Sequence, residues 1–146
     1  MINFENEFRA TKGKPFVVDG ITYRMSYDLE PGDNANIKVH IIKFDSSPRQ
    51  GIRFDSEFPM NINGKQSNAF SVWADKAPHD FLIECVPNSK VSIRNIWDNG
   101  DGVEQSWHAG GAMIVENKKN LIVCRTNSTL LNDFCNDLEV TFELIK

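Results

Sequence analysis

The feature that most constrains the fold is the alternation of apolar and polar residues in many short segments. It is clearest near the end of the chain, where Leu138, Val140, Phe142 and Leu144 are separated by polar residues. This is the pattern of a β-strand with one buried face, and such a strand is expected inside a sheet rather than at its edge. Similar segments recur about every ten residues. No helical spacing of apolar residues extends over three turns.

Eight or nine such segments predict an all-β fold, specifically a single antiparallel β-sandwich or jelly roll over residues 1–146. Residues 1–13 lack a strong periodicity and are predicted to be a polar N-terminal lead-in. Phe4 and Phe8 are the residues that would pin this lead-in to the body of the domain.

Three local patterns refine this prediction. Asp19-Gly20 lies between two strand-like runs and predicts a tight hairpin, because both positions of such a turn require positive φ angles. A change of apolar face at Ile41-Ile42 predicts a β-bulge. Residues 45–68 are punctuated by prolines and glycines, so they are predicted to be irregular apart from a short strand at 52–54.

The charge and the N-terminus restrict the classes of partner. The net charge of −4 and pI near 5.3 disfavour nucleic acid, which attracts a basic face. No apolar run approaches the roughly 20 residues that a membrane span needs. The acidic, polar N-terminus does not resemble a signal peptide. We therefore expect a cytoplasmic protein, with removal of a signal or export by a signal-independent route as the alternatives.

The reactive residue types do not form a recognisable catalytic or zinc motif. Cys85, Cys124 and Cys135 are odd in number and lack metal-ligand spacing, so buried free thiols are expected. The three histidines are too far apart for a local zinc site. Ser106 and His108 share one side of an extended segment, but no nucleophile elbow surrounds the serine. The sequence therefore predicts a protein that is not an enzyme.

Two polar loops have the composition of calcium sites. Calcium takes six to eight oxygens from carboxylates, amides and main-chain carbonyls, and glycines help the backbone to fold around it. The candidate ion-binding residues are Asp98 and Asp101 in the first loop, and Asn127, Asp133, Asn136 and Asp137 in the second. The alternative interpretation is that both loops are ordinary turns, because Asp, Asn and Gly are also the residues that form turns.

Trp107 and His108, which precede two glycines, are the candidate wall of a sugar site, beside Asp98 and Asp101 in the neighbouring loop. A pyranose packs its C–H groups on an aromatic face, while its hydroxyls hydrogen-bond to Asp, Asn and His. Trp97 and Trp73 occupy strand positions, where burial in the core is expected.

The end of the chain resembles a known family. A strand at 121–124, Asn127 and the run Asp133-Phe134-Cys135-Asn136-Asp137-Leu138 are similar to the closing loop of calcium-dependent β-sandwich sugar-binding proteins of the small bacterial galactose-binding lectin type. There an Asp-Phe-Asn-Asp-Leu loop leads into the final strand. Cys135 interrupts that form here. The resemblance covers roughly the last forty residues and implies that a calcium ion held by this loop contacts sugar hydroxyls.

These observations leave two main functions open. The first is a non-catalytic, lectin-like carbohydrate-binding domain with calcium as its cofactor. The second is a protein-interaction or structural module with an ion-free loop, such as a phage or injection-apparatus subunit, an effector or an immunity protein. The second function predicts an exposed apolar patch or sheet edge. A membrane-surface or pore-forming domain is a third hypothesis, and an oligomer is compatible with all of them.

Overall fold

The computed structural model describes residues 1–34 and 36–145, and within them the chain is built almost entirely of β-strands. The elements, in order, are α1 (Phe4–Thr11), β1 (Phe16–Val18), β2 (Ile21–Tyr23), β3 (Tyr27–Leu29), a 3-10 turn (Gly32–Asn34), β4 (Asn36–Phe44), β5 (Arg49–Ile62), β6 (Lys65–Trp73), β7 (Asp80–Glu84), β8 (Val91–Asp98), β9 (Ala112–Lys118), β10 (Leu121–Asn127) and β11 (Leu138–Ile145).

Nine of these strands form one antiparallel sheet. Its order is β3-β8-β5-β7-β4-β11-β10-β9, with β6 paired to β5 beside this path, while β1 and β2 form a separate hairpin. Arg24 and Met113 exchange two backbone hydrogen bonds of 2.9 Å, which bring the segment ahead of β3 against β9. The two ends of the sheet therefore approach each other, and the result is a nearly closed, barrel-like sandwich. The predicted all-β antiparallel fold is confirmed.

The apolar face of the terminal strand packs into the core as the alternation predicts. Leu138, Val140 and Phe142 are buried, and Phe54 contacts Phe142 edge-on with ring centroids 6.1 Å apart. β11 lies between β4 and β10, so both of its edges are paired. Trp97 is also buried, as expected, whereas Trp73 is half-buried under the guanidinium of Arg49.

Two local predictions are confirmed in detail. Phe16 to Val18 pair with Ile21 to Tyr23 across a turn in which Asp19 and Gly20 both have positive φ angles. In the pairing of β11 with β4, Glu139 faces Lys43 and Val140 faces Ile41. Ile42 is therefore the extra residue of a β-bulge, at the predicted position.

The prediction that residues 45–68 are irregular is wrong. β5 is the longest strand of the chain that the structure describes, and it forms a hairpin with β6. Its register with β6 shifts between Asp55 and Met60, so a bulge accommodates Pro59, which a regular interior strand would not. Asn63 and Gly64 both have positive φ angles in the turn. The Asn-Gly pair was the signal for this hairpin.

The predicted polar lead-in at 1–13 contains a helix. Asn3 caps it, because its side-chain oxygen accepts a hydrogen bond from the amide of Asn6 at 3.1 Å. Phe4 and Phe8, one turn apart, are buried against Phe16, so the expected role of these two phenylalanines is confirmed. α1 has eight residues. Among the described residues, no helix has the length and apolar character needed to cross a membrane.

Candidate functional site

Three segments meet at one end of the molecule: α1, loop 105–111 and loop 128–137. The amide of Ile2 donates to Asp133 Oδ2 at 2.8 Å, which joins the N-terminus to loop 128–137. The amide of Ala109 donates to Glu5 Oε1 at 3.2 Å, which joins loop 105–111 to the helix. We call this assembly the loop end and treat it as the candidate functional site.

Asn127, the last residue of β10, fixes the base of loop 128–137. It is fully buried, and its side-chain nitrogen lies 2.9–3.0 Å from the carbonyl oxygens of Gly110, Thr129 and Asn132. Its side-chain oxygen accepts a hydrogen bond from the amide of Cys135 at 3.3 Å. One amide side chain therefore connects both ends of the loop with the neighbouring loop, and all its polar atoms are used.

Close backbone contact supports this connection. A Cβ atom added to Gly110 would lie 1.9 Å from the carbonyl oxygen of Thr129, and one added to Gly111 would lie 2.7 Å from the Trp97 ring. Only glycine fits at these two positions without a shift of the surrounding atoms. The pair of glycines therefore allows loop 105–111 to lie directly on loop 128–137.

Asp137 holds the second end of the loop through a buried polar chain. Its Oδ2 accepts hydrogen bonds from the amide and the hydroxyl of Ser128, at 2.8 and 2.9 Å. The side-chain nitrogen of Gln50 then donates to the Ser128 hydroxyl at 2.9 Å. All three residues are buried. Charge-assisted bonds of this kind hold the loop more firmly than contacts between neutral groups.

Asp45 adds a second carboxyl group beside Asp137. The Asp45 amide donates to the Asp137 carbonyl at 2.8 Å. The pKa of the Asp45 carboxyl is raised by its partial removal from water and by the neighbouring Asp137, which repels a second negative charge and hydrogen-bonds to the protonated form. The neutral form of Asp45 is therefore favoured more than at an isolated surface site.

The four residues predicted to bind calcium have different roles in this arrangement. The side-chain oxygens of Asn127, Asp133 and Asp137 accept hydrogen bonds from the amides of three different residues, whereas Asn136 is exposed. Among the described residues, no three His, Cys, Asp or Glu side chains lie together as a metal site would require. These oxygens stabilise the loop itself, and calcium binding by them stays a prediction.

The outer surface of the same loop is apolar, although the residues of this loop predict an ion site. Leu130 is 59% exposed, Leu131 is 86% exposed and Phe134 is 71% exposed. Large side chains of this type are normally buried, and several together on one loop indicate an interaction site. The signal was present in the sequence as apolar residues interspersed among Asn and Asp, but the polar residues suggested an ion site.

The first predicted ion loop, residues 98–102, forms its side-chain hydrogen bonds within itself. Asp98 Oδ1 accepts hydrogen bonds from the amides of Gly100 and Gly102, and Asp101 Oδ1 accepts one from Val103. These are the local contacts of a polar turn. Within the described ranges, no hydrogen bond or ion pair joins the side chains of Asp98 and Asp101 to loop 128–137.

Trp107 borders a groove of about 330 Å³ that is otherwise lined by Phe8, Arg9, Lys12, Gly13 and Met25. Its indole is 43% exposed, and the Arg9 guanidinium lies 5.9 Å from the ring centroid. His108 was predicted to form part of the same sugar-binding wall. Its side chain instead hydrogen-bonds to the Gln105 side chain and packs on the buried ring of Trp97. The structure therefore leaves Trp107 accessible but engages His108.

The cysteines are not activated. Burial raises the pKa of Cys124 and of Cys135 to about 12, and that of the half-buried Cys85 to about 11. At neutral pH these groups stay protonated and are weak nucleophiles. The expected free, buried thiols are confirmed for Cys124 and Cys135.

Comparison with known proteins identified no similar protein. No protein-family model matches this chain, and the searches of curated proteins and of solved structures gave no match either.

Proposed function

We propose that the chain is a non-catalytic binding module that recognises a partner protein through the apolar surface of loop 128–137. The observation that carries this proposal is the exposure of Leu130, Leu131 and Phe134 on a loop whose base is held by buried hydrogen bonds. This is the exposed apolar patch that the interaction-module hypothesis requires.

The construction of the loop supports recognition by a protein. A loop that is already ordered loses little conformational freedom when it binds, so more of its contact energy contributes to affinity. Asn132, Asp133 and Asn136 are interspersed with the apolar residues in the sequence, so the same loop also carries polar groups, as the rim of a protein interface does. The partner expected is a protein with an apolar groove bordered by hydrogen-bond donors such as Lys or Arg. The net charge of −4 disfavours an anionic membrane as the target.

The test compares three purified baits: the natural chain, Leu131→Asp and Val17→Asp. Val17 is a matched control because it is 64% exposed but lies on β1, outside loop 128–137. A specific partner is expected to bind the natural chain and Val17→Asp, and to lose at least about tenfold in affinity for Leu131→Asp, because a hot-spot side chain contributes about 2 kcal/mol or more.

Two results would contradict this proposal. One is a partner that binds all three baits with equal affinity, which would place its contact elsewhere. The other is binding of phosphatidylcholine or phosphatidylserine vesicles that is lost in Leu131→Asp, which would identify the loop as a membrane contact. A second copy of this chain counts as a protein partner, and sedimentation of the natural chain and Leu131→Asp would reveal it.

Carbohydrate binding is the second candidate, and the 43% exposure of Trp107 is the observation that favours it. An indole beside a groove can pack on the C–H face of a pyranose, and the nearby Arg9 supplies hydrogen-bond donors for hydroxyls. In the form predicted from sequence, a calcium ion on loop 128–137 would assist, with Asn136 as its most accessible residue.

A glycan array with calcium and with EDTA tests this candidate. Binding that disappears in Trp107→Ala supports it, and no binding in either buffer contradicts it. Melting curves in the two buffers test the ion separately. A specific site at a hundredfold excess of calcium over its Kd would stabilise the fold by about 2.7 kcal/mol.

A further inference from the structure

The groove that Trp107 borders lies at the loop end, next to loop 128–137. Its volume of about 330 Å³ is within the range of about 300–1,000 Å³ typical of binding pockets. Loop 105–111, which contains Trp107, lies directly on loop 128–137, since a Cβ atom added to Gly110 would be 1.9 Å from the Thr129 carbonyl oxygen. We call this site the Trp107 groove, and its lining residues are Phe8, Arg9, Lys12, Gly13, Met25 and Trp107.

The inner part of the Trp107 groove is apolar. Phe8 is buried and Met25 is half-buried, and both belong to the apolar cluster between α1 and the β1–β2 hairpin. A Cβ atom added to Gly13 would lie 3.3 Å from Met25 Sδ, so the glycine leaves space beside the thioether. The indole of Trp107, which is 43% exposed, adds an aromatic wall. These surfaces suit an apolar side chain from a partner.

The rim of the Trp107 groove is basic. Arg9 lies in the last turn of α1, with 64% of its side chain exposed and Glu5 at 3.8 Å. Lys12, the residue that ends the helix, is exposed and forms no ion pair with any residue that the structure describes. Two neighbouring cations on a chain of net charge −4 favour a partner segment that carries a carboxylate.

Loop 128–137 has the complementary features. Leu131 and Phe134 are 86% and 71% exposed, and Asp133 lies between them in the sequence. The partner expected for this loop has an apolar groove bordered by Lys or Arg, and the Trp107 groove has both properties. The chain therefore contains a protruding apolar loop and a groove of matching chemistry at the same end of the molecule.

We propose that the partner recognised by loop 128–137 is a second copy of this chain, whose Trp107 groove receives Leu131. This inference rests on the proposed function and names its partner. Because the loop and the groove lie side by side, a two-fold axis between them places the loop of each copy in the groove of the other. The assembly is then a closed dimer with two identical contacts, rather than an open chain.

Sedimentation equilibrium of four proteins over a range of concentrations tests the proposal: the natural chain, Leu131→Asp, Trp107→Asn and Val17→Asp. Asparagine suits position 107, because this residue has a positive φ of 59°. The natural chain and the control Val17→Asp are expected to form a dimer of the same affinity. Leu131→Asp and Trp107→Asn are each expected to weaken it at least about tenfold.

An equimolar mixture of Leu131→Asp and Trp107→Asn tests the loop-in-groove contact directly. A mixed dimer retains one intact contact, formed by the natural loop of one variant and the natural groove of the other. The mixture is therefore expected to dimerise more tightly than either variant alone. This recovery would also show that both variants are folded, since an unfolded chain could not supply either surface.

Three results would overturn the proposal. The first is a natural chain that stays monomeric up to about 1 mM, beyond which association is too weak to be specific. The second is a dimer whose affinity is unchanged in Leu131→Asp or in Trp107→Asn. The third is a mixture of the two variants that dimerises no better than its components. In each case, loss of a different partner protein by the Leu131→Asp bait would still support the proposed function, so the two failures are distinguishable.

Discussion

Loop 98–102 and loop 128–137 contain the same residue types but use them differently. Asp98 and Asp101 accept hydrogen bonds from amides at most four residues away; Asp98 is half-buried and Asp101 is exposed. Asn127 and Asp137 are buried, and their hydrogen bonds reach Gly110 and Ser128, which are 17 and 9 residues away. In both loops the Asn and Asp side chains hydrogen-bond to backbone groups. The packing around these side chains determines whether they form a surface turn or hold distant parts of the fold together.

The largest effect is expected for Asn127→Ala. The substitution removes the hydrogen bonds to the carbonyls of Gly110, Thr129 and Asn132 and the bond from the Cys135 amide. These backbone groups would then be buried without partners, so the free energy of unfolding should fall by about 3–5 kcal/mol. Urea unfolding followed by tryptophan fluorescence measures the change.

Asn136→Ala is the matched control, because Asn136 is an exposed asparagine of the same segment. Its effect should stay within about 0.5 kcal/mol. Equal destabilisation by the two substitutions would contradict the assignment of Asn127 as the anchor of the loop.

The second-largest loss of stability is expected for Gly110→Ala. Its Cβ would lie 1.9 Å from the Thr129 carbonyl oxygen, so the two loops must separate, at an expected cost of about 2–3 kcal/mol. In loop 98–102, Gly102→Ala meets no atom within 4 Å, and only its positive φ of 79° opposes the substitution. That cost should be about 1 kcal/mol. Thermal melts of both variants compare them, and a larger cost at Gly102 would reverse the ranking of the two loops.

A smaller difference separates the two aspartates. Asp137→Ala removes two buried charge-assisted hydrogen bonds and leaves the Ser128 amide unpaired, at about 2 kcal/mol. Asp98→Ala removes two bonds near the surface, where water can replace them, at about 0.5–1 kcal/mol. Urea unfolding of both variants would test this order, and similar losses would mean that burial contributes little to the anchoring of loop 128–137.

Local sequence patterns predicted much of the strand framework, because alternation and turn residues act over a few positions. The Asp19-Gly20 hairpin, the bulge at Ile42 and the interior position of β11 are all confirmed. The β5–β6 hairpin was missed because Pro59 normally interrupts strands, and a bulge accommodates it here.

The loop end was less predictable, because it depends on contacts between residues distant in sequence. Asp133 bonds to the amide of Ile2, and Asn127 bonds to the carbonyl of Gly110. A linear pattern contains no information on such partners. The apolar residues Leu130, Leu131 and Phe134 were visible, but their exposure depends on how the loop is anchored.

The smallest effect is a pH dependence that distinguishes loop 128–137 from ordinary polar turns. The folded-state pKa of Asp45 is raised above its usual 3.8, so its stabilising contribution is complete below about pH 4 and is lost as the pH rises through the raised value. Asp45→Asn keeps a neutral side chain at every pH. The melting temperature of Asp45→Asn relative to the natural chain should therefore be higher at pH 7 than at pH 4. In an Asp137→Asn background, this pH-dependent difference should shrink, because most of the repulsion disappears with the second carboxylate. A difference that is the same at both pH values would mean that the two carboxyl groups do not interact.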